Sequence, residues 1–258
     1  MNSIQEYIIS WLKAYAEKSS LEGFVVGVSG GVDSALTASL CAETGLKVIL
    51  LNMPIKQSSA EYLRANEQIL NLVEKHSYVS SLEISLTSTF EEFTRNLPES
   101  IQSEQLVLAN SRSRLRMITL YAIAQANRCL VVGTGNKIED FGIGFFTKYG
   151  DGGVDVSPIA DLTKTEVFKL AKNIGVVESI LNAKPTDGLW EDGRSDEDQI
   201  GATYPELEWA MFFKDSEKEL SSRQREVLSI YKRLNKLNAH KMHPIPVCTI
   251  PSFLKREM

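Results

Sequence analysis

The residues best suited to chemistry lie in the loop that follows the first apolar run. Residues 25–34 read V-V-G-V-S-G-G-V-D-S. The β-branched run predicts a buried strand; three glycines interleaved with two serines follow, and Ala35 and Leu36 open a helix. Gly27, Gly30 and Gly31 remove side chains so that backbone N–H groups can approach an anion. Ser29 and Ser34 add hydroxyls, and the helix aims its positive end at the same point. Phosphate is the natural occupant. The lysine that completes a G-x-x-x-x-G-K-[ST] loop is missing. Asp33 would also repel a γ-phosphate unless a cation lay between. A magnesium-bridged pyrophosphate fits this loop better.

A second loop has complementary residues. Leu130, Val131 and Val132 predict a buried strand, and G-T-G-N-K-I-E-D at 133–140 follows it. Two neighbouring strand ends complete a nucleotide site in this way. Thr134 is placed to contact the nucleotide, and Glu139 to join Asp33 as a second magnesium ligand, since Mg²⁺ is held by one or two carboxylates with phosphate oxygens and water. Arg112, Arg114 and Arg116 stand in a run that predicts a helix over residues 110–127. Alternate spacing cannot put all three on one helical face, and a helix amino terminus bearing Arg can receive an anionic substrate. Arg114 reads as a substrate contact, while Arg112 and Arg116 are balanced between substrate and solvent. Residues 142–153 then mix five glycines with Phe145, Phe146 and Tyr149, a poor core element but a good aromatic binding wall.

The elements that must position these loops follow from hydrophobic periodicity. Ile4, Tyr7, Ile8, Trp11, Leu12 and Tyr15 recur at helical spacing and predict a helix over 4–18 with one packed face. Helices are expected over 34–44, stopped by Gly45, over 58–76, capped by Ser58 or Ser59, and over 163–175. Further strands are expected at 47–53 and 78–85. This rhythm means right-handed βαβ units: a doubly wound, mostly parallel five-stranded α/β sheet with helices on both faces, Rossmann-like, with ligands at the carboxyl edges of the strands. His76 ends a helix and reads as a solvated residue. Residues 205–236 predict amphipathic helices whose Leu207, Trp209, Val227, Leu228, Tyr231 and Leu234 exceed what a simple αβ layer needs.

Composition bounds the function. A chain of 258 residues with 43% hydrophobic and 24% charged residues is expected to form one folded domain over 1–258. A net charge of −5 argues against nucleic acid as partner, because neutralising a phosphate backbone demands a basic surface. Cys41, Cys129 and Cys248 form no C-x-x-C pair, so neither zinc nor an iron–sulfur cluster is indicated. No membrane-length apolar stretch or basic leader appears, and a cytoplasmic enzyme is expected. Asn2 rather than Cys follows Met1, and no cysteine lies in a G-x-C-x-G elbow, so no glutaminase domain is expected. Nitrogen should then arrive as free ammonia or from another protein.

S-G-G-V-D-S resembles the loop of the ATP pyrophosphatases, which split ATP between its α and β phosphates. F-F-T-K-Y-G-D-G-G-V-D at 145–155, followed by P-I-A-D-L-T-K at 158–164, is similar to the ammonia-dependent NAD synthetases. Arg114 with its neighbours, Gly133-Thr134, Lys184-Pro185-Thr186 and His240-Lys241 agree, colinear from about residue 25 to 245. The resemblance implies that ATP adenylates the nicotinate carboxylate of deamido-NAD, releasing pyrophosphate, and that ammonia then displaces AMP. It implies ATP contacts from Gly27, Val28, Ser29, Gly30, Gly31, Val32, Asp33, Ser34, Thr134, Lys164 and Thr186. It implies deamido-NAD contacts from Arg114, Lys148, Asp155, His240 and Lys241, and Mg²⁺ ligands at Asp33 and Glu139. One residue is inserted between Glu139 and Gly144 relative to the family, which leaves Asp140 as the alternative ligand. Residues 185–199, acidic and carrying Trp190, are expected to close as a lid over the adenylate. The family habit, with the apolar helices above, implies a homodimer whose sites lie near the interface.

Overall fold

The computed structural model describes residues 3–186 and 195–255, so Trp190 and most of the expected lid fall outside the described residues. In chain order the elements are α1 (Ser3–Lys18), β1 (Gly23–Gly27), α2 (Val32–Ala42), β2 (Lys47–Asn52), α3 (Ser59–Lys75), β3 (Val79–Glu83), α4 (Thr87–Arg95), α5 (Glu99–Gln102), α6 (Gln105–Asn127) and β4 (Cys129–Val131). A π-helical turn (Ile138–Ile143) follows, and then α7 (Lys164–Ile174), α8 (Glu178–Leu181), α9 (Asp196–Ile200), α10 (Tyr204–Phe212), α11 (Ser222–Met242) and α12 (Ser252–Lys255).

The sheet order is β3-β2-β1-β4, and every neighbouring pair is parallel. The chain leaves β1 toward β2 on one side and later returns to lay β4 on the other. The carboxyl ends of β1 and β4 therefore form the topological switch point, where a crevice opens. Period-two alternation divides the core. Phe24, Val26, Val48 and Leu50 pack with α1, α2, α3 and α7 on one face, while Val25, Ile49, Leu51 and Val131 pack with α4 and α6 on the other.

The sheet has four strands, where five were expected. The fifth position is held by a single parallel bridge, Val132 to Val156. The Asp155 carboxylate takes the Val131 N–H at 2.8 Å, the backbone amides of Asp155 and Val156 both turn to the Val131 carbonyl, and Pro158 has no N–H to extend a ladder. Two helices also differ from expectation. On α1 the buried residues are Gln5, Ile8, Ile9, Leu12 and Ala16, while Ile4, Tyr7, Trp11 and Tyr15 face outward. The apolar arc is wider than the contact with α2. Helix α6 begins at Gln105, earlier than residue 110, because Gln105 to Ala109 are helix formers and Glu104 gives no capping hydrogen bond to mark the start. Its arginines consequently sit in mid-helix and gain nothing from the helix amino terminus.

A third core lies apart from the sheet. Leu207, Val227 and Leu228 pack around Ile138 and Ile143 of the π-helical turn, with Trp209, Tyr231 and Leu234 against them. Much of the apolar face of α10 and α11 is thus used within the chain, where it holds the second loop in place, while Phe212 on α10 and Leu237 on α11 stay exposed.

Leu36 on α2 is fully buried, whereas Leu63 on α3 is 63% exposed. Leu36→Ala is expected to lower the unfolding free energy by about 2–5 kcal/mol, and Leu63→Ala by less than about 0.5 kcal/mol, in urea melts followed by far-UV circular dichroism.

Candidate functional site

The β1–α2 loop is held from within and from below. Ser34 Oγ accepts from Ser29 N–H at 3.1 Å and donates to the Gly31 carbonyl at 3.0 Å. Gln57 donates to the Ser29 carbonyl at 3.0 Å, and Arg64 of α3 donates to the Gly30 carbonyl at 3.2 Å. Gly30 has φ +87°, and a Cβ there would collide with the Glu61 carbonyl of α3. Only glycine can take this bend against a helix backbone. The first turn of α2, with Val32, Asp33 and Ser34, then points its unpaired amides out of the loop.

At the mouth of the loop a buried cation lies between two carboxylates. Lys164 Nζ donates to Asp33 Oδ2 at 2.6 Å and to Glu139 Oε1 at 3.0 Å, and only 4% of its side chain is exposed. Each partner arrives from a different element: Asp33 from α2, Glu139 from the π-helical turn, and Lys164 from the first turn of α7, whose start is fixed by the Thr163–Glu166 capping box. Asn136 organises the second loop. Its amide nitrogen donates to Asp33 Oδ1 at 3.0 Å, and its carbonyl oxygen accepts from the Ile138 and Glu139 amides at 3.1 Å. Tyr204, at the start of α10, donates its hydroxyl to Glu139 Oε1 at 2.5 Å, lies 3.1 Å from Asp196 Oδ2, and presents its ring 4.6 Å from Lys164 Nζ.

Proton affinities follow from this burial. Burial works to lower the pKa of Lys164, but Asp33 and Glu139 outweigh it and the ammonium is held more firmly than in water. Glu139 is raised, chiefly by burial and against the pull of Lys164. Tyr204 is raised by burial and by the Glu139 and Asp196 carboxylates, so it stays a neutral donor. Asp140 is raised well above the usual carboxylate range, by burial first and then by Glu139, Asp151 and Asp33. Its carboxylate packs against Gly135, where any Cβ would strike it, and it stays outside the Asp33–Lys164–Glu139 group. Glu139 and Asp140 both lie on the π-helical turn, where Glu139 meets Lys164 beside Asp33 while Asp140 packs against Gly135.

A cleft of about 680 Å³ runs from this centre, and its far end is basic. The end of α11 builds that wall. Asn235 and Asn238 donate to the Gly142 and Ile143 carbonyls at 2.7 and 2.8 Å, and Lys241 donates to the Phe146 carbonyl at 2.7 Å. Lys148 reaches the His240 carbonyl at 2.7 Å, and Arg114 reaches the Lys148 carbonyl at 3.3 Å. Arg114, Lys148, His240 and Lys241 all line the cleft, as do Thr134 and Thr186. Burial lowers the Lys241 pKa. Asp155 does not line the cleft: it is exposed at the sheet edge, with Tyr121 donating to its Oδ1 at 3.0 Å. Arg116, undecided in the sequence, has an enclosed guanidinium that lines the cleft and donates to the Met53 carbonyl at 3.1 Å. Burial, with Arg112 adding to it, lowers its pKa to about 10.

The sequence reading missed Tyr204, Asp196 and the role of Asn136. Tyr204 follows Thr203, whose capping box with Glu206 is a visible helix start, but nothing in the sequence ties it to a carboxylate sixty-five residues earlier. Among the described residues no group of three or more His, Cys, Asp or Glu is arranged to hold a metal. A pair of carboxylates already gripping one ammonium still fits a Mg²⁺ whose other ligands are phosphate oxygens and water.

Comparisons with known proteins agree on one family. The family model for NAD synthase matches residues 4–244. An NH(3)-dependent NAD(+) synthetase of Mesoplasma florum is 34% identical over 238 residues, 92% of each chain. Among solved structures, an NMN synthetase from Francisella tularensis superposes with a TM-score of 0.84 at 32% identity, covering 96% of this chain and 98% of that one. An NH3-dependent NAD synthetase from Campylobacter jejuni gives 0.73 at 27% identity, covering 96% and 100%.

Replacing Lys164 by methionine leaves Asp33 and Glu139 facing each other in a site from which water is largely excluded. This is expected to cost about 3–5 kcal/mol at neutral pH. With the ammonium gone, Glu139, already raised by burial, loses the opposing pull of Lys164, so the penalty grows with rising pH. Lys164 itself remains charged in both states below about pH 10 and adds no slope there. Urea melts are therefore expected to show the gap between Lys164→Met and wild type narrowing from about pH 8 to about pH 5.

Proposed function

Because the chain belongs to the NAD synthase family, we infer that its cleft binds ATP beside a nicotinate dinucleotide acid and joins ammonia to the nicotinate carboxyl. It is an ammonia-dependent NAD(+) synthetase, a ligase that forms a C–N bond as ATP goes to AMP and pyrophosphate. A nicotinate carboxylate oxygen attacks the α-phosphorus of ATP, and the bond to the bridging oxygen of pyrophosphate breaks. Ammonia then adds to the activated carbonyl carbon, and AMP leaves with the C–O electron pair. A carboxylate is a poor electrophile, so adenylation is what makes its oxygen a leaving group, and most of the catalysis is electrostatic positioning.

The residue roles are our proposal, carried by the Lys164 ammonium held between Asp33 and Glu139 at the mouth of the glycine loop. The backbone and hydroxyls of residues 27–34 receive the ATP phosphates, with Thr134 and Thr186 beside the nucleotide. Asp33 and Glu139 would hold Mg²⁺, which when bound neutralises the phosphate charge that builds up during adenylation. Lys164 turns from the carboxylates to the phosphates when the nucleotide enters, exchanging one pair of anions for another. Arg114, Lys148, His240 and Lys241 form the cationic end that receives deamido-NAD. Asp155 keeps a lone pair on each oxygen for the same substrate from its exposed place at the sheet edge. A homodimer is supported by exposed Leu106 and Ile118 on α6 and by Ile245 and Val247 in the carboxy-terminal segment. Among the described residues no helix is long and apolar enough to cross a membrane, and we propose a cytoplasmic enzyme of one domain supplied with free ammonia.

One observation favours a second reading. The Francisella structure that superposes at 0.84 is described as an NMN synthetase, so the acid amidated here would be the mononucleotide rather than the dinucleotide. The two readings share the adenylation centre and differ in what fills the basic end.

AMP release is therefore to be followed with ATP-Mg and either deamido-NAD or nicotinic acid mononucleotide, each with ammonium or with glutamine. NAD and AMP are expected from deamido-NAD with ammonium only. Preference for the mononucleotide would establish the second reading, and turnover with glutamine would overturn the free-ammonia assignment. Sedimentation is expected to give twice the mass of the chain.

A further inference from the structure

Tyr204 has no role in the reaction as derived so far, yet its surroundings are those of the metal site. It is 3% exposed, it is the first residue of α10, and its hydroxyl donates to Glu139 Oε1 at 2.5 Å. Its ring face lies 4.6 Å from Lys164 Nζ, close enough for a cation–π contact. The same hydroxyl is 3.1 Å from Asp196 Oδ2, on the short helix just before α10. The backbone of Tyr204 is fixed independently. Thr203 and Glu206 close a capping box around it, its amide donates to Glu197 Oε1 at 2.9 Å, and Arg223 of α11 grips Glu206 at 2.8 Å. The phenol is therefore delivered to Glu139 by a rigid helix start.

Glu139 needs such a support. It sits on a π-helical turn, and its carboxylate is oriented by Lys164 and Tyr204. In the reading above Lys164 leaves when nucleotide arrives, and of these two contacts the phenol then remains. A partner that orients a metal-ligating carboxylate is worth roughly 10–100-fold in metal affinity.

We propose that Tyr204 is a positioning residue of the metal site, holding Glu139 in the ligating orientation through its hydroxyl and holding Lys164 over its ring face until the nucleotide arrives. The proposal rests on Glu139 being a metal ligand. It makes α10 part of the catalytic machinery without any contact to substrate.

The test is Mn²⁺ binding, read by electron paramagnetic resonance, to the full chain with α,β-methylene-ATP, which cannot be cleaved between those phosphates. Wild type, Tyr204→Phe and Glu139→Gln are compared. Phenylalanine keeps the ring and the buried volume, and near-UV circular dichroism checks that the core is intact. Tyr204→Phe is expected to weaken Mn²⁺ binding about tenfold and to raise the Mg²⁺ half-saturation in turnover by a similar factor. The KM for the nicotinate acid is expected to change by less than about twofold, since the basic end is untouched. p-Aminophenylalanine at position 204 restores a donor and is expected to recover the affinity, which a purely structural role for the hydroxyl would not predict. A lowered Tm with unchanged Mn²⁺ affinity in Tyr204→Phe, alongside weakened binding in Glu139→Gln, overturns the Tyr204 proposal alone. Unchanged binding in Glu139→Gln overturns the metal assignment and the proposal with it.

Discussion

An ammonium ion held between two carboxylates is the constraint on which the rest of this structure depends. Taking Lys164, Asp33 and Glu139 out of water is expensive, and their mutual attraction offsets that cost only when the geometry is close and the remaining lone pairs are satisfied. The two contacts are 2.6 and 3.0 Å, Asn136 takes the other Asp33 oxygen, and Tyr204 shares Glu139 Oε1 with Lys164. A buried triad of this kind is weak evidence for stability in itself. On the reading proposed above, the same carboxylates meet a different cation when nucleotide binds, and the Lys164 ammonium offsets their mutual repulsion until then.

The architecture follows from bringing those groups together. Asp33 is anchored by the β1–α2 loop, and that loop keeps its shape because α3 lies directly beneath Gly30 and Arg64 holds its carbonyl. Glu139 is anchored by the loop after β4, the neighbour of β1 across the switch point. Lys164 comes from the start of α7, which packs against α2 on the same face of the sheet. The third core extends the scheme beyond the sheet. Helices α10 and α11 bury Ile138 and Ile143, so the segment that carries Glu139 is clamped from the side opposite the sheet. The end of α11 then continues past the clamp as the basic wall. One helix thereby supports the segment that carries Glu139 at its middle and the basic end of the cleft at its terminus.

Charge is graded along the cleft in a way that suits two anionic substrates. Glycine-loop amides and the Lys164 ammonium stand at one end, and Arg114, Lys148 and Lys241 at the other, in a chain whose net charge is −5. Such charges in a cleft with low-dielectric walls focus a local positive potential. This distribution favours small phosphorylated ligands over a polyanion.

Local chemistry was legible in the sequence wherever neighbours in the chain are neighbours in space. The glycine loop, the strand rhythm, the Gly45 stop and the Lys164 helix start were all visible, because backbone sterics, capping and period-two alternation act over a few residues. The resemblance of 145–155 to a known family further implied a role for Lys148 that spacing alone could not. What depended on tertiary structure was everything set by distant packing. A sheet of four strands with a lone bridge arose because the Asp155 side chain and Pro158 stopped a ladder that the composition allowed. The outward stripe of α1, the early start of α6 and the internal use of the α10 and α11 faces depended on which surfaces met. That Glu139 meets Lys164 while Asp140 packs against Gly135 depended on how the π-helical turn folds. Tyr204 was invisible for the same reason: a hydrogen bond across sixty-five residues has no signature in either partner's local sequence, and only the folded chain brings them within 2.5 Å.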